Sequence, residues 1–363
     1  MPQSDELHAR FLETVEWPEI RVSLVARIFD PDIGLPDNGT MQIFIPDLHM
    51  ISKEAQGRFR GYGFSSHASR EPTMVRLLER LGSLGRQLSD VNLLRVYQLG
   101  DFLDLWREHP VGNDPSAIVR DNAPVWDLLY NGLVSGVSVN YLRGNHDFDI
   151  PDRGEYGDWQ RAYFSSSGPM AIMHGDVFDW LEVLAPDWLQ QAIVYLSGVQ
   201  AGERNYSQAE LQKVNGTCHE RNEASGRYQW AEVYRLGDQP LNLPAGPTDP
   251  TTTNVIKVQD PSQGSQDRND LSGHELMGRA HQLLAQLAAA RQRQTRLLII
   301  GHTHHARIVQ YKTADQNLVL MDCGAWVEEC WVGPKENRAG KEPSQQIGVV
   351  AGNDCRIYQL SPA

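Results

Sequence analysis

A chain of 363 residues that is 40% hydrophobic can bury a large core, as one α/β domain or as one domain carrying a sizeable insertion. Its formal net charge of −13 opposes a surface built to wrap a polyanion, because contact with a phosphate backbone relies on clustered Lys and Arg. Nucleic acid is therefore disfavoured as a partner.

The first 20 residues, MPQSDELHARFLETVEWPEI, combine neither a basic start nor an apolar run, so nothing marks them for secretion and a cytoplasmic location is expected. Strands are predicted at Ile20–Phe29 and Met41–Pro46, where β-branched and aliphatic residues run together over short lengths. A helix follows over Glu71–Leu88: Pro72 sits where the first turn tolerates it, and Met74, Leu77, Leu78, Leu81 and Leu84 recur at helical spacing. Further strands are predicted at Asn92–Leu99, Val137–Leu142 and Met170–Met173.

The rhythm then breaks. Trp180–Val199 has apolar residues at helical spacing, and the uncharged stretch Trp188–Gly202 is shorter than the roughly 20 residues that span a bilayer, so no transmembrane helix is expected. Pro240–Gly273 contains five prolines among Thr, Ser, Asp and Gln and reads as an exposed, mobile excursion, interrupted by a strand at Asn254–Val258. A helix is predicted over His274–Arg293. Residues 177–295 are read as an insertion, a lid or a surface embellishment, within a single 1–363 domain. Strands resume at Arg296–Ile300 and Leu318–Met321, and Ile347–Leu360 reads as two strands joined by a turn at Gly352–Asp354. Strands alternating with helices predict an α/β layered fold. Cys218, Cys323, Cys330 and Cys355 form no CxxC pair and are read as free thiols, consistent with a reducing compartment.

Five of the apolar runs end in residues that ligate metals. Asp47 and His49 follow the first; Asp101 and Asp104 the second; Asn145, His146 and Asp147 the third; His174 and Asp176 the fourth; His302, His304 and His305 the fifth. In an α/β sheet the loops after the carboxyl ends of the strands converge on one crevice. Imidazole and carboxylate donors suit Zn, Mn, Fe or Co, and the absence of nearby thiolates argues against a purely structural zinc site. Asp47, His49, Asp101, Asn145, His174, His302 and His304 are too many donors for one four-coordinate ion. They suit two divalent ions that share a bridging carboxylate, hold one hydroxide between them and clamp an in-line displacement at phosphorus. His302 and His304, on either side of Thr303, are expected to face different ions.

The ordered tags DLH, GDFLD, GNHD, HGD and GHTH resemble the calcineurin-like metallophosphoesterase superfamily over about residues 40–325. The resemblance implies a four-layer α/β/β/α sandwich with a helical and loop insertion between the fourth and fifth tags, and a dinuclear centre at one edge. It assigns Asp47, His49 and His304 to one metal, Asn145, His174 and His302 to the other, and Asp101 to the bridge. It makes His146 the residue that contacts the scissile phosphate and helps the leaving group depart, with Asp147 orienting it. Asp104, Asp176 and His305 are read as groups that hold ligands in orientation. Lys53, Arg58, Arg60, Arg70 and Arg143 are candidates for contact with a substrate phosphate, or solvated charges.

The expected function is therefore hydrolysis of a small-molecule phosphodiester or phosphomonoester, with manganese as the assay metal. GDFLDLW, GNHDF and GAWVEE are also similar to the branch that includes UDP-2,3-diacylglucosamine pyrophosphatase, which leaves a nucleotide-linked pyrophosphate as the alternative substrate. That branch commonly carries Arg where this chain has His146. A non-catalytic scaffold or metal-binding protein with the same fold should show gaps among the seven ligands, and there are none.

Overall fold

Two six-stranded sheets organise the described residues of the computed structural model, which are 3–16, 18, 20–36, 39–58, 64, 68–88, 94–105, 115–131, 137–147, 150, 159–160, 162–165, 169–176, 253–256, 276–277, 280, 295–312, 317–327 and 345–362. The first sheet runs β1 (Ile20–Phe29), β12 (Asp354–Pro362), β11 (Gln346–Ala351), β2 (Met41–Ile45), β3 (Leu94–Gln98), β4 (Ser138–Tyr141). The second runs β5 (Ala162–Phe164), β6 (Met170–Met173), β8 (Leu297–Ile300), β10 (Asn317–Asp322), β9 (Arg307–Lys312), β7 (Thr253–Ile256). Both are mixed. β2, β3 and β4 are parallel neighbours, as are β6, β8 and β10, and the remaining pairs are antiparallel.

Strands β6 and β8 are apolar throughout because both of their faces are covered, whereas β3 and β4 carry polar residues such as Arg95 and Asn140. One cluster joins the sheets, with Phe44, Tyr97 and Ile357 packed with Ile172, Ile299, Val319 and Met321. On the other face of the first sheet, Ile43, Val96 and Val349 meet Phe11 of α1 (Gln3–Val15) and Leu77 and Leu81 of α3 (Arg70–Gln87). On the other face of the second sheet, Ala171, Leu298 and Leu320 meet Leu276, Met277 and Ala280. Each buried aliphatic side chain in these clusters stabilises the fold by roughly 1.5–3 kcal/mol relative to exposure.

The predicted strands at Ile20–Phe29 and Met170–Met173 lie where the pattern put them, the one predicted at Arg296–Ile300 starts one residue later at Leu297, and α3 matches the predicted helix to within a residue at each end. Elements outside the reading also form, among them β5 and β9. The N-terminal segment forms α1, whose Leu7, Phe11 and Val15 are buried at four-residue spacing. Residues 116–131 form α4 (Ser116–Asp121), α5 (Ala123–Trp126) and a π-helical turn at Asp127–Asn131. The strand expected at Asn254–Val258 is present as β7, which pairs antiparallel with β9 and so belongs to the second sheet. The rest of the 177–295 insertion, including the helix expected at Trp180–Val199, lies outside the described residues apart from 276, 277, 280 and 295. Cys323 and Cys355 are free and buried; Cys218 and Cys330 lie outside the described residues. Among the described residues no helix is long and apolar enough to cross a membrane.

Candidate metal centre

The carboxyl ends of β2, β3, β4, β6 and β8 carry the five tags, and the parallel direction within each sheet brings those ends to one side. The loops are laced together by their backbones. The amides of Leu48 and His49 donate to the Asp101 carbonyl at 3.1 and 2.7 Å, and Gly301 N donates to the His174 carbonyl at 2.9 Å. Gln98, fully buried, closes both backbone groups of Gly100 with its side-chain amide, donating to Gly100 O at 2.8 Å and accepting from Gly100 N at 3.1 Å.

Among the described residues, His49, Asp101, His302 and His304 are the non-glycine residues with positive φ, at 45°, 47°, 68° and 58°. Left-handed backbone costs an L-residue roughly 1–2 kcal/mol, and such strain collects where geometry serves a function. All four were picked out as ligands by their chemistry alone. Two motif glycines are required for space: a Cβ on Gly144 would lie 2.0 Å from Asp101 Oδ1, and one on Gly301 would lie 2.3 Å from Asp47 Oδ1.

Three groups of potential ligands have donor atoms within 4.8 Å of one another: Asp47, His49 and His304; Asp101, His174 and His302; and His49, Asp101 and His146. The first holds the three residues expected around one ion, and the second holds His174 and His302 with the expected bridge, Asp101. Asp101 Oδ2 stands between them, 3.4 Å from His49 Nε2 and 3.2 Å from His174 Nε2. Asn145 Oδ1 lies 3.1 Å from His174 Nε2, which places it with the second group.

Tautomers follow from the partners. His49 Nδ1 faces Asp104 Oδ2 at 3.2 Å and His174 Nδ1 faces the Leu99 carbonyl at 3.0 Å. A carbonyl and an ionised carboxylate only accept, so both Nδ1 atoms carry protons and both Nε2 lone pairs point inward. There His49 Nε2 meets His304 Nε2 at 3.1 Å, and His174 Nε2 meets His302 Nδ1 at 3.2 Å. Asp47 Oδ2 accepts from His302 N at 2.8 Å and lies 3.3 Å from His304 Nε2, while buried Asp47 Oδ1 has no hydrogen-bond partner among the described residues. Nitrogen and oxygen lone pairs converging in a buried space repel unless a cation or proton lies between them. This donor set fits divalent ions of the Mn, Fe, Zn and Co type.

The electrostatics of the bare residues agree. Burial alone would lower the pKa of His174, but the Asp101 and Asp47 carboxylates outweigh it and raise it well above the ordinary value. Burial would raise Asp101, yet the imidazoles of His174, His146 and His49 hold it well below. Asp47 is pushed up to about 6, and His49 down to about 4, chiefly by burial. The site therefore demands positive charge and, without metal, takes it as a proton. Ligation releases such protons.

One expectation is revised. Asp147 does not face the His146 ring: its Oδ1 accepts from Gly144 N at 2.7 Å and its Oδ2 from Phe102 N at 2.8 Å, tying the third tag to the second. Burial, followed by the nearby Asp101 charge, raises its pKa to about 7. The carboxylate beside His146 is Asp104, with Oδ1 3.0 Å from Nδ1. The loop turns after Gly144, so neighbours in sequence point apart. Of the basic candidates, Arg70 is fully buried at the start of α3 and Arg143 is 6% exposed. The side chains of Arg58 and Arg60 lie outside the described residues. The sequence reading passed over Gln98, Thr303 and Asp322. A polar residue inside or at the end of an otherwise apolar strand was the available signal for Gln98 and Asp322.

Residues 43–306 match the model of the family described as calcineurin-like phosphoesterase. Among solved structures, a dimetal phosphatase from Danio rerio is similar at 13% identity and a TM-score of 0.37, over 85% of this chain and 91% of its own. No curated protein matches.

Proposed function

The chain belongs to the calcineurin-like phosphoesterase family and is a phosphoester hydrolase, and we propose that it works with two divalent ions held by the residues gathered at the strand tips. Asp47, His49 and His304 would hold one, Asn145, His174 and His302 the other, and Asp101 would serve both. The observation that carries this reading is the position of Asp101 Oδ2 between the Nε2 atoms of His49 and His174. When bound, the ions supply a hydroxide nucleophile at neutral pH and positive charge for the phosphoryl oxygens.

The chain's own groups supply the rest. His146 is the most exposed of the residues grouped with His49 and Asp101, and its ring packs edge-on against His49 at 4.6 Å between centroids. Its Nδ1 lies 3.0 Å from Asp104 Oδ1 as an electrostatic contact without hydrogen-bond geometry, and its Nε2 is the atom assigned to the substrate, where it contacts the scissile phosphate and donates a proton to the departing oxygen. Asp104 fixes the tautomer of His49 through Oδ2 and sets its other oxygen beside His146, and Asp147 keeps the GNHD loop against the GDFLD loop. The same reading takes the layers of helix, sheet, sheet and helix residues as a four-layer sandwich, with 177–295 as a lid-bearing insertion within one domain.

Small-molecule phosphodiesters or phosphomonoesters are the proposed substrates, in preference to a nucleotide-linked pyrophosphate. The test is the rate of hydrolysis of bis(p-nitrophenyl) phosphate relative to p-nitrophenyl phosphate by Mn-loaded protein, with Asp101→Ala as control. Diester preference assigns a phosphodiesterase and monoester preference a phosphatase. Full turnover by Asp101→Ala would sink the dinuclear mechanism.

A further inference from the structure

Asp322 is fully buried at the end of β10, in register with Ile300 of β8 on one side and Arg307 of β9 on the other. Its carboxylate therefore lies directly beneath the loop that runs from Gly301 to Ala306. Asp322 Oδ2 accepts the Thr303 hydroxyl and also the Arg307 Nε at 3.3 Å. The Thr303 hydroxyl oxygen accepts from His305 N at 3.3 Å, and Thr303 N donates to Gly301 O at 2.8 Å. Thr303 is thus tied at its side chain and its backbone, while the residues on either side, His302 and His304, are both left-handed.

Alternation explains the spread of the imidazoles. His302 Nδ1 reaches His174, whereas His304 Nε2 reaches His49 and Asp47. A two-residue spacing in extended chain would point both rings the same way; two left-handed residues around a fixed centre send them apart. Left-handed backbone is unfavourable for both histidines; the His302 amide is held by Asp47 Oδ2 at 2.8 Å, and the residue between them is held by Asp322. A hydrogen bond from a hydroxyl to an ionised, buried carboxylate is of the stronger kind.

We propose that Asp322 is a positioning residue: through the Thr303 hydroxyl it fixes the backbone that splits His302 and His304 between the two metal groups. This rests on the reading that those histidines are ligands. It goes beyond that reading by assigning the geometry of the pair to a residue on a neighbouring strand that touches neither ion nor substrate.

The experiment is isothermal titration of Mn²⁺ into metal-stripped full-length protein, for wild type, Thr303→Val, Thr303→Ser, Asp322→Asn and His302→Ala. Electron paramagnetic resonance of the loaded forms reports coupling between the two ions. Removing a group that orients a ligand weakens metal binding by roughly 10- to 100-fold. Thr303→Val, which keeps the side-chain shape, should show that loss together with a weakened coupling signal, and Thr303→Ser, which keeps the hydroxyl, should bind Mn²⁺ with nearly wild-type affinity. Circular dichroism confirms that each variant is folded at the titration temperature, so Thr303→Val carries the test if Asp322→Asn does not fold. A folded Thr303→Val with wild-type affinity and coupling overturns the proposal, while His302→Ala still loses an ion. Wild-type affinity in His302→Ala as well overturns the ligand assignment itself.

Discussion

The Nδ1 atom of His146 lies 3.0 Å from Oδ1 of Asp104. The other oxygen of the same carboxylate lies 3.2 Å from His49 Nδ1, so one buried side chain serves the residue proposed to donate the proton and a proposed metal ligand. Removing the imidazole and removing its partner should therefore differ in kind. His146→Asn is expected to keep both ions and lose roughly 10²–10⁴ in kcat, the range of general acid–base contributions. Asp104→Asn should lower kcat and also weaken metal binding, by roughly 10- to 100-fold. Metal titration beside steady-state kinetics separates the two; an Asp104→Asn protein with unaltered Mn²⁺ affinity would remove the link to His49.

The two ligand groups also predict an asymmetry between neighbouring histidines. His304→Ala takes a donor from the group of Asp47 and His49, and His302→Ala takes one from the group of Asp101 and His174. Each single variant should fall from two ions per chain to one, measured by elemental analysis after dialysis. Stripping wild-type protein with EDTA should abolish turnover and Mn²⁺ should restore it. Two ions retained in both variants would contradict the assignment.

The order of the tags made the site legible because each ligand follows a strand at a fixed short distance, and parallel strands deliver their ends to one side. What stayed hidden depends on contacts between loops. Whether Asp104 or Asp147 faces His146 is decided by how the chain turns after Gly144, and no periodicity encodes that turn. Thr303 meets Asp322 across 19 residues, a distance closed by the pairing of β10 with β8 and β9. Helix α1 was readable, since Leu7, Phe11 and Val15 share one face, but that segment was read for targeting signals alone. The helical turns after Pro115 lacked a clean apolar stripe: Pro124 and the π-helical turn at Asp127–Asn131 interrupt it.

Gly144 offers a test of packing at the centre. Its added methyl in Gly144→Ala would fall 2.0 Å from Asp101 Oδ1 and 2.5 Å from Asp101 N, so the shared carboxylate or the loop has to shift. Overpacking of this kind costs about 1–3 kcal/mol in stability. Displacement of a shared ligand should cost more in function, with a loss of at least about 10² in kcat/KM. Urea unfolding and kinetics measure the two effects. Activity within a fewfold of wild type would mean that the loop adapts, and that the glycine is not there for the carboxylate.

Far from the metal centre, His8 sets a pH dependence of its own. It is fully buried on α1, with Nε2 3.3 Å from the Asp354 carbonyl and Nδ1 3.3 Å from the Tyr358 hydroxyl. Burial, followed by the charge of Arg356, lowers its pKa to about 4 from an ordinary 6.5. The folded protein thus keeps His8 neutral over a range in which the unfolded chain protonates it. Above pH 6.5 neither state binds the proton and stability is at its full value; as pH falls from 6.5 toward 4, protonation of the unfolded state draws stability down. The shift corresponds to about 3 kcal/mol. In EDTA, where metal release affects both proteins alike, the difference in unfolding free energy between wild type and His8→Gln should be constant above pH 7. It should then move by about that amount against wild type by pH 4. Parallel curves for the two proteins would show that α1 opens enough to hydrate His8 before the fold is lost, and would place the acid sensitivity with the buried carboxylates instead.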